Sequence, residues 1–281
     1  MNDLTGRVAV VTGAASGIGF AMASAFAAEG MKLVLADIDA EALDAARTEL
    51  NDKGAEAVAV PTDVTDPAAV DALRDAAVSA FGAAHVVCNN AGVAVGGPIW
   101  QVPLEAWHWV FGVNFWGVIH GLRSFVPLLL EQGEGHIVNT ASAAGLVATP
   151  FLGPYSATKH AVVAVSESLA IELAGTSVGV SVLCPMWVRT RIHESDRNAP
   201  PGVATLIAED PTSLAGARDV VAGFVNSGLA PGVVAEKVVK AVKDKGFWVF
   251  PHEEVRDAVR ARGQSIADGA MPSFSLLTEA G

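Results

Sequence analysis

A chain of 281 residues with 51% hydrophobic and 17% charged residues can bury a large core, and the length fits one α/β domain spanning residues 1–281. The formal net charge of −12 argues against nucleic acid or an anionic membrane surface as the main partner, because both reward clustered Lys and Arg. No long apolar run reads as a membrane span, and Met1-Asn2-Asp3-Leu4-Thr5-Gly6-Arg7 lacks a signal-peptide layout, so a cytoplasmic location is expected.

Arg7 to Val11 is a short β-branched run that breaks at Thr12-Gly13-Ala14-Ala15-Ser16-Gly17-Ile18-Gly19, before a helical stretch from Phe20 to Glu29. A strand, a glycine turn and a helix start make a phosphate cradle: the glycines let the backbone approach a pyrophosphate, whose charge then sits at the helix N-terminus. A purely structural strand-to-helix turn would also use glycine. Lys32 to Ala36 is the next strand, ending in Asp37, eighteen residues after Gly19. A carboxylate there accepts hydrogen bonds from the ribose hydroxyls of an adenosine and repels a 2′-phosphate. Neither Ala15 nor Ile38 supplies a compensating cation, so NAD is expected over NADP. Asp37 could instead cap the helix that follows, a role Asp39 fills equally well.

Helices are predicted over 40–50 and 67–81, the second opened by Asp66 and Pro67, with a strand over 57–60 leading to Asp63-Val64. His85-Val86-Val87-Cys88 is a fourth strand, followed by Asn89-Asn90-Ala91-Gly92. Strands alternating with helices at this rhythm predict a doubly wound parallel sheet covered on both faces, which binds ligands beyond its strand C-termini. Leu104 to Leu130 holds Trp107, Trp109, Trp116 and Asn114 in one long helical pattern. One bulky stripe faces the sheet, and the surplus aromatics predict burial against a second subunit, in a homodimer or homotetramer. Cys88 and Cys184 each end a predicted buried strand, match no metal spacing, and are expected to be small core hydrophobes.

His136 to Thr140 is the fifth strand and leads into Ser142. Tyr155, the one tyrosine of the chain, precedes Lys159 by four residues at the start of a helix running to Leu173. Four residues is about one helical turn, so phenol and ammonium share a face. A nearby cation stabilises a phenolate, which makes Tyr155 a candidate general acid/base with Lys159 lowering its pKa. A surface Tyr and Lys that happen to lie one turn apart would show the same spacing. Val178 to Leu183 is the sixth strand, ending in Cys184-Pro185-Met186-Trp187-Val188-Arg189-Thr190. The stretch 191–228, interrupted by Pro200, Pro201, Gly202 and Pro211, is the least periodic and is expected to be a substrate-binding loop or lid. A helix over 233–242, a strand over 247–250 and a helix over 253–266 close the chain.

Taken together, Thr12-Gly13-x-x-x-Gly17-x-Gly19, Asn89-Asn90-Ala91-Gly92, Ser142 and Tyr155-x-x-x-Lys159 resemble the short-chain dehydrogenase/reductase family in order and spacing, over nearly the whole chain. The resemblance implies about seven parallel strands, a nicotinamide cofactor, and hydride transfer between an alcohol and a carbonyl. It assigns proton transfer to Tyr155, a hydrogen bond on the substrate oxygen to Ser142, the nicotinamide ribose to Lys159, and a relay water to Asn114. It places Gly13, Ser16, Gly17, Ile18 and Gly19 at the phosphates, Asp63 and Val64 at the adenine, and Asn90, Ala91 and Gly92 at the adjoining ribose. Pro185, Val188 and Thr190 fall on the carboxamide and phosphate side. One position departs from the family pattern: Met186 stands where glycine usually follows Pro185, and Trp187 comes next.

The candidate substrate wall is Val93, Val95, Ile99, Leu146, Val147, Phe151, Leu152, Met186, Trp187 and Ile192. A pocket so lined favours a hydrophobic or aromatic secondary alcohol or ketone over a polyol, which needs paired polar groups. Arg189, Arg191, His193 and Arg197 could meet a carboxylate or form local ion pairs on a solvated loop. Arg191-Ile192-His193-Glu194-Ser195, with Arg197-Asn198 and Pro200, resembles the aryl-ether Cα-dehydrogenase branch. Three readings therefore stand: an NAD-dependent alcohol dehydrogenase, an NADPH-dependent ketone or 3-oxoacyl reductase, and a non-catalytic dinucleotide sensor.

Overall fold

The computed structural model describes residues 1–208 and 215–272, with the backbone alone described for 206–208 and 215–220. Its centre is a seven-stranded parallel sheet. The strands are β1 (Val8–Thr12), β2 (Lys32–Asp37), β3 (Ala57–Pro61), β4 (Val86–Asn89), β5 (Gly135–Thr140), β6 (Val178–Leu183) and β7 (Trp248–Val249). Their spatial order is β3-β2-β1-β4-β5-β6-β7. The chain builds outward from β1 in one direction and then returns to start again at β4. Between β1 and β4 the connections diverge to opposite sides, leaving the crevice in which such sheets bind ligands.

The two-residue period of β1 explains how one strand serves two cores. Ala9 and Val11 face one side, with Met22 and Phe26 of α1 (Gly17–Ala28), Leu43 of α2 (Ala40–Asp52) and Val238 of α9 (Pro231–Asp244). Val8 and Val10 face the other, with Leu73 of α3 (Pro67–Phe81) and with Phe125 and Leu129 of α5 (Gly117–Gln132). Alternate side chains of a strand point to opposite faces, and each fully buried Val, Leu or Phe contributes about 1.5–3 kcal/mol. This is why the strands read as unbroken apolar runs.

Helix starts follow local chemistry. Asp39 accepts the Ala42 N–H to cap α2, and Asp66 accepts the Ala68 N–H to cap α3, with Pro67 in the first turn. The run α4 (Leu104–Phe111), a π turn over Gly112–Trp116, and α5 form one continuous helix of 29 residues. By length and composition that run meets the requirement for a membrane span, which corrects the expectation that no such run exists. In this fold Val118, Gly121, Ser124, Phe125 and Leu129 of α5 are buried, two of them in the sheet's apolar core.

The stretch 191–228, expected to be irregular, contains a 3-10 helix over Ile192–Asn198 and the helices α7 (Pro201–Ala208) and α8 (Ala215–Ser227). Pro211 lies outside the described residues. Pro200 and Pro201 do not break this region; Pro201 opens α7, where a missing N–H costs nothing. The long helix α6 (Gly153–Glu172) and the last helix, α10 (Val255–Ala267), complete the description. Cys88 and Cys184 are both buried and free.

Candidate active site

One cleft of about 400 Å³ runs across the C-terminal ends of the strands. At one end are Gly13, Ser16, Gly17, Ile18, Gly19, Asp37, Asp63 and Val64; Asn90, Ala91 and Gly92 follow; Ser142, Tyr155, Lys159, Pro185, Val188 and Thr190 complete the lining. The topology explains the gathering, because β1, β2, β4, β5 and β6 all end there.

The β1–α1 turn is shaped to receive an anion. Gly13 and Gly17 hold positive φ values of 67° and 57°, a region in which other residues are strained. A Cβ on Gly19 would fall inside the van der Waals radius of the Gly13 carbonyl oxygen. The Ser16 side chain makes no cap hydrogen bond and the first turn of α1 carries no acidic residue. The donors at this helix end are thus left for a ligand, in contrast to the Asp-capped α2 and α3. Thr12 ties the two halves together: its Oγ1 accepts from the Asn90 and Ala91 N–H groups at 2.9 and 3.1 Å. At the far end, Asp37 accepts from the Ala15 N–H and the Asp39 N–H, each at 3.1 Å. Its carboxylate is therefore held in the cleft by backbone, and Asp39 supplies the α2 cap. A nicotinamide dinucleotide fits these groups: uncapped helix donors for its phosphates and a fixed carboxylate for a ribose diol.

Ser142, Tyr155 and Lys159 meet at the other end. Ser142 Oγ accepts from the Ala144 N–H at 3.1 Å, donates to the Pro185 carbonyl at 3.3 Å, and hydrogen-bonds Tyr155. Lys159 Nζ donates to the Thr140 carbonyl at 2.8 Å and lies 5.5 Å from the centre of the Tyr155 ring. Burial pushes the Lys159 ammonium down to about 8. The expectation that Lys159 lowers the Tyr155 pKa is corrected here: burial raises it, and the Ser142 hydrogen bond offsets only part of that rise. Desolvation of the buried phenol is the largest cause of the shift.

Asn114 stands behind the lining, fully buried in the π turn. Its Oδ1 accepts from the Val93 N–H, and its Nδ2 donates to the Val93 carbonyl and to Thr158 Oγ1. It fastens the β4–α4 segment to α6 one residue before Lys159.

Of the expected substrate wall, Val93, Leu152, Met186, Trp187 and Ile192 line the cleft, whereas Val95, Ile99, Leu146, Val147 and Phe151 do not. Val95 is buried in a satellite core with Ala106 and Val110. Leu146 packs against the cluster of Val162, Val182 and Cys184. Phe151 is 60% exposed with φ 62°, and its carbonyl accepts the Gly97 N–H. Trp109, one of the aromatics that the sequence divides between the sheet and a second subunit without saying which, lines the cleft, with Val221 and Val225 of α8. Helical periodicity could place Trp109 with Val113 on one face, but not decide what that face meets. Arg191 pairs with Glu194 at 2.6 Å, and Arg197 donates to the Arg191 and Glu194 carbonyls, so these two cations have local partners. Among the described residues there is no cluster able to hold a metal ion.

Comparison with known proteins agrees with this geometry. The family model for short chain dehydrogenases matches residues 7–201. The chain belongs to the short-chain dehydrogenase/reductase family. Among its relatives, a 1-deoxy-11-beta-hydroxypentalenate dehydrogenase from Streptomyces exfoliatus is 46% identical over 214 residues, covering 74% of this chain and 78% of the relative. A C alpha-dehydrogenase from Sphingobium sp. strain SYK-6 is 35% identical over 278 residues, 98% of this chain and 90% of that one. A crystal structure of a family member from Burkholderia phymatum in complex with NAD superposes with a TM-score of 0.93 at 43% identity, covering 98% and 99% of the two chains. The apo form of LigD from Sphingobium gives 0.79 at 32% identity, covering 96% and 100%. The chain is thus an oxidoreductase, and the seven-stranded Rossmann-like sheet is the family's fold.

Proposed function

We propose that this protein is an NAD-dependent dehydrogenase that interconverts a hydrophobic secondary alcohol and its ketone. The observation that carries the reading is the convergence of Ser142, Tyr155 and Lys159 at one end of a cleft whose other end presents the Asp37 carboxylate. When bound, the oxidised nicotinamide would supply the hydride acceptor. The chain's own residues do the rest. The Ser142 hydroxyl orients the substrate oxygen, the Tyr155 phenolate takes the alcohol proton and the resulting phenol returns it to the ketone in the reverse direction, and Lys159 would hold a ribose hydroxyl beside them. Asn114 acts through the Val93 backbone as a positioning residue. The raised Tyr155 pKa suits an acid in the reductive direction; the positive charge of an oxidised nicotinamide would favour the phenolate in the oxidative one.

The NAD preference rests on Asp37, which a 2′-phosphate would meet as a like charge, and is supported by the NAD complex of the Burkholderia relative. An apolar substrate is supported by Val93, Leu152, Met186, Trp187 and Ile192 in the lining, and by relatives named as dehydrogenases of a hydroxypentalenate and as a C alpha-dehydrogenase. Exposed Leu104, Trp116, Leu130 and Ile171 on α4, the π turn, α5 and α6 support a homodimer or homotetramer, which light scattering would test. A single domain over 1–281, a lid over 191–228 and a cytoplasmic location belong to the same reading.

The deciding experiment compares initial rates with NAD on 1-phenylethanol-type alcohols, aliphatic secondary alcohols, hydroxysteroids and polyols, for the wild type and Tyr155→Phe. The variant should bind NAD within about twofold of wild type and lose at least about a hundredfold in kcat. Undiminished turnover would discard the role of Tyr155, and a preference for polyols would discard the apolar wall. A preference for NADPH would favour the reductase reading.

A further inference from the structure

The last strand of the sheet stops early, and a side chain replaces its next rung. Val182 N–H donates to the Phe247 carbonyl at 2.7 Å and Cys184 N–H to the Val249 carbonyl at 2.9 Å. The parallel ladder advances two residues on each strand per bond. By that register the Met186 N–H should meet the Pro251 carbonyl. Pro251 has no N–H with which to continue the ladder, and its carbonyl accepts from Lys237 Nζ at 3.2 Å, as the Phe250 carbonyl does at 3.4 Å. The Met186 N–H instead donates to His252 Nδ1 at 3.2 Å, and His252 Nε2 lies 3.1 Å from the Trp187 carbonyl. A backbone N–H only donates and a carbonyl only accepts, so Nδ1 is bare and Nε2 carries the proton. One neutral imidazole thus supplies the acceptor that the ladder lacks for Met186 and adds a donor to the Trp187 carbonyl. His252 is 9% exposed, and burial holds its pKa below the usual imidazole value, which favours that neutral form.

We propose that His252 is a positioning residue for the substrate wall, fixing Met186 and Trp187 at the reactive end of the cleft. The segment is gripped from two sides. Pro185 is held through its carbonyl by the Ala143 N–H at 2.8 Å and by Ser142 Oγ; the next two residues are held by His252. Trp187 stacks on Phe224 with ring centres 5.2 Å apart. Its carbonyl also accepts from the Leu229 N–H at 3.0 Å. Met186 and Trp187 both line the cleft beside Ser142 and Tyr155. Where a glycine would need no support, two bulky side chains must be aimed, and the ladder that would aim them ends at Val249. The assignment rests on the dehydrogenase reading for what the wall contacts, but the clamp itself is independent of it.

Protonation would place an N–H on Nδ1 against the Met186 N–H and abolish that bond. The charged groups facing the ring are Glu254, which favours the cation, and Lys237, which opposes it; Lys237 is in turn 3.8 Å from Glu253.

The test compares His252→Ala and His252→Asn with wild type, the Asn amide oxygen keeping an acceptor for Met186. With NAD saturating and 1-phenylethanol as probe, His252→Ala should raise the alcohol KM about tenfold, with kcat and the NAD KM within about twofold. His252→Asn should restore most of that loss, and should lack the rise in KM expected of wild type at pH values below the usual imidazole range. In the substrate-free protein, hydrogen exchange over residues 184–190 should quicken about tenfold in His252→Ala. Exchange there unchanged in both variants would overturn the clamp, and faster exchange with an unchanged KM would overturn its role in the wall. If wild type oxidises none of the alcohols offered, the dehydrogenase reading fails while the exchange measurement still decides the clamp.

Discussion

Replacing Lys159 by Met should make the free protein more stable at pH 7 while removing its activity. The Lys159 side chain is 3% exposed, and burial depresses its pKa from 10.5 to about 8. At pH 7 the native state therefore holds an ammonium that burial disfavours, a cost of about 3 kcal/mol relative to the unfolded chain. Methionine is nearly isosteric and carries no such cost. The variant loses the 2.8 Å bond from Nζ to the Thr140 carbonyl, worth about 1–2 kcal/mol. The net expectation is a gain of about 1–2 kcal/mol and a Tm higher by about 2–6 °C.

The sign with pH gives a sharper check. Because the folded pKa lies below the unfolded one, the unfolded chain binds more protons between about pH 8 and 10.5, and wild-type stability from this group rises with pH through that window. By pH 9 the wild type should have recovered about 1 kcal/mol and the advantage of Lys159→Met should have shrunk by that amount. Cys88 and Cys184, whose thiols burial pushes up (Cys184 to about 12), act in the opposite direction over the same range. Lys159 lowers the Cys184 value only part of the way, so both thiols stay protonated in the folded state at pH 9 with or without it and their contributions cancel in the difference. Urea melts of the two proteins at pH 7 and pH 9, without NAD, measure it. A variant less stable at pH 7, or an advantage that grows with pH, would refute the desolvation argument. Confirmation would place Lys159 among residues that trade stability for function.

Two further substitutions probe the cofactor end. Asp37→Ala should raise the ratio of kcat/KM for NADP over NAD by at least about tenfold, since it removes a like charge facing the 2′-phosphate; an unchanged ratio in paired initial-rate measurements would show that the carboxylate does not set the preference. Gly19→Ala should weaken NAD binding at least about tenfold in calorimetric titration, because overpacking against the Gly13 carbonyl displaces the turn and costs about 1–3 kcal/mol. Wild-type affinity in that variant would remove the β1–α1 turn from the phosphate site.

What could be read before folding and what could not divide along physical lines. A parallel sheet covered on both faces follows from the alternation of apolar runs and helices, and the uncapped glycine turn after β1, the carboxylate after β2 and the Tyr155–Lys159 pair all depend on residues close in sequence. Their geometry is fixed by one turn or one strand end. The substrate wall depends on packing between distant segments, and apolar identity alone does not separate Leu152, which lines the cleft, from Leu146, which fills the core behind it. Trp109 shows the same ambiguity in reverse. The sign of the Tyr155 pKa shift was hidden for another reason: spacing brings Lys159 near, but only the fold shows how much water the phenol loses. Most remote of all is His252, 66 residues from Met186. Nothing in its neighbourhood marks it except Pro251, which ends a strand. A proline that stops a ladder obliges the partner strand to find another acceptor. Here the obligation falls on Met186, the residue at which the sequence departs from the pattern the resemblance implies.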